Sequence, residues 1–106
     1  MAVDFEAVKE RARRYADDVR KELPVDRVIL FGSYAKGTAD AKSDVDVCFF
    51  LRDYGSLGRF NTILRLMEIC FNYHYQDFFE PTAYKTSEIE NDNPFDNEVL
   101  RTGIDI

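Results

Sequence analysis

VDRVILFGSYAKGTADAKSDVDVCFFL, residues 25–51, is the stretch that decides the architecture. Val25 to Phe31 is rich in β-branched and large apolar residues and reads as a buried strand. Gly32-Ser33 breaks it, and Ser33 to Lys36 reads as a short helical turn before Gly37. Thr38 to Ser43 is polar loop. Asp44 to Leu51 then alternates, with Val45, Val47 and Phe49 on one face, and reads as a second strand. A glycine-serine turn therefore lies between two strands, with ten residues separating Ser33 from Asp44-Val45-Asp46.

Each end of that turn carries chemistry. A strand that stops at glycine and enters a helical turn aims backbone N–H groups at one spot, where they bind phosphate oxygens. Gly32 permits close approach because it has no side chain. Ser33 adds a hydroxyl donor, and Lys36 is a candidate phosphate partner. In a strand, residues i and i+2 share a face, so Asp44 and Asp46 project together. Two such carboxylates repel unless a cation joins them. Mg²⁺ typically takes one or two protein carboxylates plus substrate phosphates. The same D-V-D-V pattern also suits a plain solvent-facing strand. Gly32 to Thr38 is not a P-loop, because Thr38 follows Gly37 directly and the required Lys is absent.

Outward from this stretch the pattern continues. Residues 4–22 predict an amphipathic helix with Phe5, Val8, Ala12, Tyr15, Val19 and Leu23 on its inner face. Pro24 ends it. Its basic residues, interleaved with acids, predict a solvated surface rather than a nucleic-acid face. Leu57 to about Asn72 predicts a second helix, with Leu57, Phe60, Leu64, Met67 and Phe71 as its core stripe, widened by Ile63 and Cys70. The aromatic run Tyr73 to Phe79 predicts a third strand, limited by Pro81. Ser87-x-x-Glu90 predicts a short helical turn. Asn93-Pro94 predicts the start of a last helix, and Gly103 a left-handed cap at its end. Ile104 and Ile106 predict a small edge or simple packing. The order is helix, strand, strand, helix, strand, helix, which implies an α+β fold: a small mixed sheet flanked by helices in one domain spanning 1–106.

A third acid would strengthen the pair. Asp77 and Glu80 lie on or near the third predicted strand. They are three apart and so face opposite sides, and at most one joins. Glu80, at the strand end before Pro81, is favoured; Asp77 is the alternative.

Composition narrows the classes. The 106 residues carry a formal charge of −6, which disfavours nonspecific binding to nucleic acid by phosphate neutralisation. No apolar run approaches the roughly 18 residues of a membrane span. The N-terminus lacks the pattern of a signal peptide, so a cytoplasmic location is expected. Cys48 and Cys70 sit in apolar surroundings and read as buried thiols. With no CxxC and one histidine, a zinc site is not expected. His74, alone among aromatics, reads as structural or surface.

Gly32-Ser33, ten residues, then Asp44-Val45-Asp46 resembles the signature of the DNA-polymerase-beta-like nucleotidyltransferase superfamily. The wider GSYAKGTADAKSDVDV resembles its minimal nucleotidyltransferase branch. Glu80-Pro81, Asn93-Pro94-Phe95 and Arg101-Thr102-Gly103-Ile104 look like a subgroup of that branch. The resemblance implies transfer of a nucleoside monophosphate, AMP from ATP in the first instance, to a protein or small-molecule hydroxyl. It implies two Mg²⁺ ions on Asp44, Asp46 and a third carboxylate. Gly32 and Ser33 would hold the β- and γ-phosphates. The usual third acid is an Asp inside a hydrophobic strand, and here it is Glu80 or Asp77. The branch also resembles antitoxins paired with a small helical HEPN-type protein, which makes a noncatalytic or weakly catalytic partner of such a toxin the alternative reading. Tyr34, Tyr54, Phe60, Tyr73 and Tyr75 are candidates for the apolar patch that a helical partner needs. So short a chain leaves no room for a separate acceptor domain, so the acceptor would come through a partner subunit or another copy in a homo-oligomer.

Overall fold

The computed structural model describes residues 5–32, 35, 37, 44–74, 79–88 and 94–106, with the side chains of 94–96 left aside. Helix α1 (Phe5–Arg20) is followed by strands β1 (Val25–Phe31) and β2 (Val45–Leu51). Helix α2 (Gly58–His74) leads to strand β3 (Phe79–Lys85) and a 3₁₀ turn (Thr86–Glu88). Helix α3 (Pro94–Thr102) and the two-residue strand β4 (Ile104–Asp105) close the order. The four strands form one mixed sheet in the order β3-β2-β1-β4. β1 runs antiparallel to both β2 and β4, and β2 runs parallel to β3 with α2 as the crossover. The expected α+β class and element order hold.

Strand alternation gives the sheet two different faces. On one, Val28 and Leu30 of β1 and Val45, Val47, Phe49 and Leu51 of β2 are buried beneath α1 and α2. Helix α1 contributes Val8, Tyr15, Ala16 and Val19, at helical spacing. Glu6 in its first turn and Arg20 in its last complement the helix dipole. Tyr15 is fully buried, with its hydroxyl donating to the Leu66 carbonyl at 2.6 Å. Its ring meets Phe49 edge-on at 5.3 Å and stacks on Phe79 at 5.0 Å. His74 bonds Asp18 at 2.7 Å and so ties the end of α2 to α1. That histidine is structural.

The other face has a smaller cluster: Ile29, Cys48, Phe50 and Val99, flanked by Phe31, Tyr84 and Leu100. Among the described elements α3 covers it, over β1. The two cysteines lie in different clusters, on opposite sides of the sheet. The strand β4 is fixed by a bidentate pair, Arg27 Nε and Nη2 to the Asp105 carboxylate at 2.6 and 2.9 Å.

Three expectations need correction. First, Tyr73 and His74 end α2, and β3 starts at Phe79, where the expected strand stops. Glu80 is therefore the second residue of a strand, not its end. Pro81 is accommodated inside β3 because β3 is an edge strand, where a missing N–H costs no ladder bond. Arg59 Nε bonds the Ala83 carbonyl at 2.9 Å, so this edge is blunted against further strand pairing. Second, Gly103 follows α3 as expected but is not left-handed. Glycine is required there by space: a Cβ would collide with Ile29 Cγ2 and the Val99 carbonyl oxygen.

Third, the stripe expected to pack α2 against the core is exposed. Phe60 and Phe71 are each 74% accessible, and Leu57, Leu64 and Met67 are also exposed. The buried side carries Thr62, Leu66, Ile69 and Cys70, with Ile63 packed against it. This helix has three strips: one buried, one apolar and exposed, and one polar with Asn61, Arg65, Glu68 and Asn72. Two apolar strips share the same period, so periodicity alone does not say which faces inward. The 3₁₀ turn at Thr86–Glu88 falls where a helical turn is expected, and Asn93 and Glu90 lie outside the described residues.

Candidate functional site

Phe31, Asp46 and Glu80 form one row across three strands. β1 and β2 pair Phe31 with Asp46, and β2 and β3 pair Asp46 with Glu80. The sheet register thus brings together two acids that are 34 positions apart in sequence. Their carboxyl groups come within hydrogen-bonding reach. Asp44, two residues before Asp46, is exposed at the mouth of β2, near enough for its charge to act on Asp46. These three acids lie on the sheet face away from α1 and α2.

Asp46 takes the strain of this crowding. Partial burial, the neighbouring Glu80 charge, their shared hydrogen bond and the Asp44 charge push its carboxyl up to about 6. The cause is physical: removing water from an anion and adding like charge both favour the protonated form.

Gly32 is built around the same carboxylate. Its φ is +72°, a conformation that non-glycine residues rarely adopt. A Cβ there would fall on Asp46 Oδ2, with Cγ only 3.1 Å away. The backbone at the end of β1 therefore lies directly against the acid, and no other residue fits. Ser33 and Lys36, the other phosphate candidates, and Asp77, the alternative third acid, lie outside the described residues.

The acids open into a cleft of about 340 Å³ lined by Phe31, Asp46, Glu80, Pro81, Thr82 and Tyr84. Glu80, Thr82 and Tyr84 alternate along β3 and share its outward face. Arg59 of α2 lies over the Tyr84 ring, 4.9 Å from its centroid. Sequence reading misses Phe31, Thr82 and Tyr84. The period-two signal is present from Glu80 onward, but a strand placed at Tyr73–Phe79 hides it. On the other side of Phe31 a smaller hollow of about 160 Å³ is bounded by Gly32, Glu98, Val99 and Thr102.

Among the described residues, no three His, Cys, Asp or Glu side chains converge closely enough to hold a metal ion by themselves. The donor set still suits Mg²⁺, which is bound through one or two carboxylates plus substrate phosphates rather than by an all-protein cage. Asp46 and Glu80 already share one place, and their mutual repulsion is what a divalent cation relieves.

The comparisons with known proteins show the family and the fold. Residues 12–97 match the nucleotidyltransferase domain family. A Methanocaldococcus jannaschii protein, named "Putative protein adenylyltransferase MJ0141", is 32% identical over 94 residues, covering 82% of this chain and 92% of that protein. A crystal structure from Sulfolobus solfataricus, described as that of a putative nucleotidyltransferase, superposes with a TM-score of 0.70. It covers 95% of this chain and 80% of its own at 16% identity, a likeness of fold. Among the described residues no helix is long and apolar enough to cross a membrane. With its glycine turn, its D-V-D strand and a match over residues 12–97, the chain belongs to the nucleotidyltransferase domain family, within the DNA-polymerase-beta-like superfamily.

Proposed function

We propose that this enzyme transfers the adenylyl group of ATP to a hydroxyl of a protein acceptor, with Mg²⁺ held by Asp44, Asp46 and Glu80. The observation that carries the reading is the in-register pairing of Asp46 with Glu80 directly against the Gly32 backbone. The M. jannaschii relative's name supports AMP as the group and a protein as the acceptor. Bound Mg²⁺ supplies Lewis-acid charge neutralisation at the triphosphate and lowers the pKa of the attacking hydroxyl.

The chain's own residues do the rest. In this reading Gly32 and Ser33 would bind the β- and γ-phosphates through backbone N–H groups, and Lys36 would pair with a phosphate. That orients the α-phosphorus toward the acids. The acceptor enters along the cleft beside Glu80, Thr82 and Tyr84. Its oxygen forms a bond to the α-phosphorus while the α–β bridging P–O bond breaks and pyrophosphate leaves. Glu80, exposed on the edge strand, stands to take the hydroxyl proton at its carboxylate. Most of the rate in such transfers comes from positioning and charge stabilisation, so few reactive side chains are needed.

The test is transfer of label. The protein, Mg²⁺ and a cell extract or purified acceptor are incubated with ATP labelled at the α- or the γ-phosphate. Protein-bound label from the α position only, with pyrophosphate released, is the expected result. Label from the γ position, or calorimetry showing no Mg²⁺-dependent ATP binding, overturns it. Comparing Mg²⁺-dependent binding in Glu80→Gln and Asp77→Asn decides the third acid, with the larger loss expected for Glu80→Gln.

A further inference from the structure

We infer that Phe79 is a positioning residue for Glu80: its ring, stacked on Tyr15 on the helix side of the sheet, fixes the start of β3 so that the Glu80 carboxylate stays beside Asp46. The inference rests on the reading of Glu80 as a metal ligand. Phe79 and Glu80 are neighbours in a strand, so they point to opposite faces. The register pairs Phe79 with Val45 and Glu80 with Asp46. Val45 and Phe79 pack with the α1/α2 core, while Asp46 and Glu80 line the cleft. The Phe79 ring stacks on Tyr15 with 5.0 Å between centroids and 26° between planes, and meets the His74 ring edge-on at 6.3 Å. Tyr15 is itself fixed: it is fully buried, and its hydroxyl donates to the Leu66 carbonyl of α2 at 2.6 Å. His74 lies 5.5 Å from the Tyr15 ring and is bonded to Asp18 of α1 at 2.7 Å. Phe79 thus rests on a platform built from both helices.

This end of β3 is where such a hold is needed. β3 is an edge strand, paired with β2 alone, and element ends are the first to open. The next row carries two acids directly opposite each other, and like charges across paired strands push them apart. In the metal-free chain that repulsion acts to part β3 from β2 at this row. The Phe79 stack opposes it from the other face, one residue away. Glu80 is exposed, so its place comes from its backbone rather than from packing of its own side chain. A binding constellation works only when its groups are held within about 0.5 Å of their productive geometry. The coupling is local to this row. Leu51, fully buried on the same core face, is five residues along β2 from Asp46, about 17 Å at the strand rise.

Two measurements on the full chain test it: calorimetry of Mg²⁺-dependent ATP binding, and thermal melting without metal. Phe79→Leu keeps an apolar side chain and removes the flat ring. It is expected to weaken Mg²⁺-dependent binding about 10-fold or more, as loss of a group that orients a metal ligand does. Phe79→Tyr restores a ring and is expected to bind as the parent does. Leu51→Ala is expected to melt lower than Phe79→Leu and yet to bind as the parent does, which separates positioning from stability. Glu80→Gln is the reference for the ligand itself. A Glu80→Gln protein that binds like the parent overturns the metal role of Glu80 and this inference with it. A loss in Glu80→Gln with none in Phe79→Leu overturns this inference alone. So does a Leu51→Ala loss as large as that of Phe79→Leu, since affinity would then merely follow stability, or a Phe79→Tyr protein as weak as Phe79→Leu.

Discussion

The two faces of this sheet are made by the same strands and serve opposite ends. On the α1/α2 face, Val45, Val47, Phe49 and Leu51 are sealed away from water. On the other, Asp46 interleaves with them and meets Glu80 in an open cleft, with Asp44 exposed at the mouth of β2. A shift of one residue along β2 turns a core side chain into a site carboxylate. The core face fixes the register, and the register delivers Glu80 to Asp46. Stability and chemistry are therefore separable by position, and substitutions on the two faces should fail in different ways.

The sharpest break is expected at the acids. Asp46→Asn removes one oxygen anion and keeps the shape, so nucleotidyl transfer is expected to fall about 10²–10³-fold, as on loss of a main electrostatic group in other active sites. Circular dichroism should show the fold intact, and an unfolded variant would contradict the separation of faces. Phe49→Ala, on the core face of the same strand, is expected to do the reverse. Truncation of a buried phenylalanine costs about 3–5 kcal/mol. Urea unfolding should report that loss, with MgATP binding retained in whatever fraction stays folded.

The same contrast is predicted within α2. Leu66 is fully buried and Leu64 is 42% exposed. Leu66→Ala is expected to cost about 2–5 kcal/mol, the range for buried leucine. Leu64→Ala should stay within about 1 kcal/mol, as at a partly exposed position. Equal losses would mean that the stripe expected from sequence, not the observed one, faces the core. Gly32→Ala is expected to be milder in stability, about 1–3 kcal/mol for backbone strain at positive φ. Its effect on MgATP binding is expected to be at least tenfold, because its methyl group falls on Asp46 Oδ2. A Gly32→Ala protein that binds MgATP normally would sink the close-approach argument.

What is legible in the sequence follows from the range of each signal. The turn at Gly32 and the acids at 44 and 46 rest on spacing within a few residues, where strand period alone fixes who shares a face. The first helix is legible because its apolar residues form one stripe. Glu80 is visible only as a candidate, since its place beside Asp46 depends on parallel pairing across a 17-residue helix. The start of β3 is misplaced because Tyr73 and His74 look like strand residues, whereas His74 is held on α2 by Asp18. The α2 stripe misleads because two apolar strips compete, and tertiary contacts such as Tyr15 to the Leu66 carbonyl select between them. Gly103 carries a rule of space, not of φ, that only the neighbouring Ile29 reveals.

The smallest expected effect concerns pH and tests the same crowding of acids. Asp46 is raised to about 6 in the folded chain, above its ordinary value of 3.8. Below pH 3.8 it is protonated in both folded and unfolded chains and contributes nothing to their balance. Between 3.8 and 6 the unfolded chain loses the proton first, so folding is progressively disfavoured. Above 6 the full cost is present. In metal-free solution Asp46→Asn should therefore melt higher than the parent at pH 8. The gap should close at pH 4. Adding Mg²⁺ at pH 8 should raise the parent's melting point and leave the variant unmoved. A parent that melts above the variant at pH 8 without metal would show that Asp46 is stabilised as an anion by some other group, and the case for a cation at this row would lose its electrostatic basis.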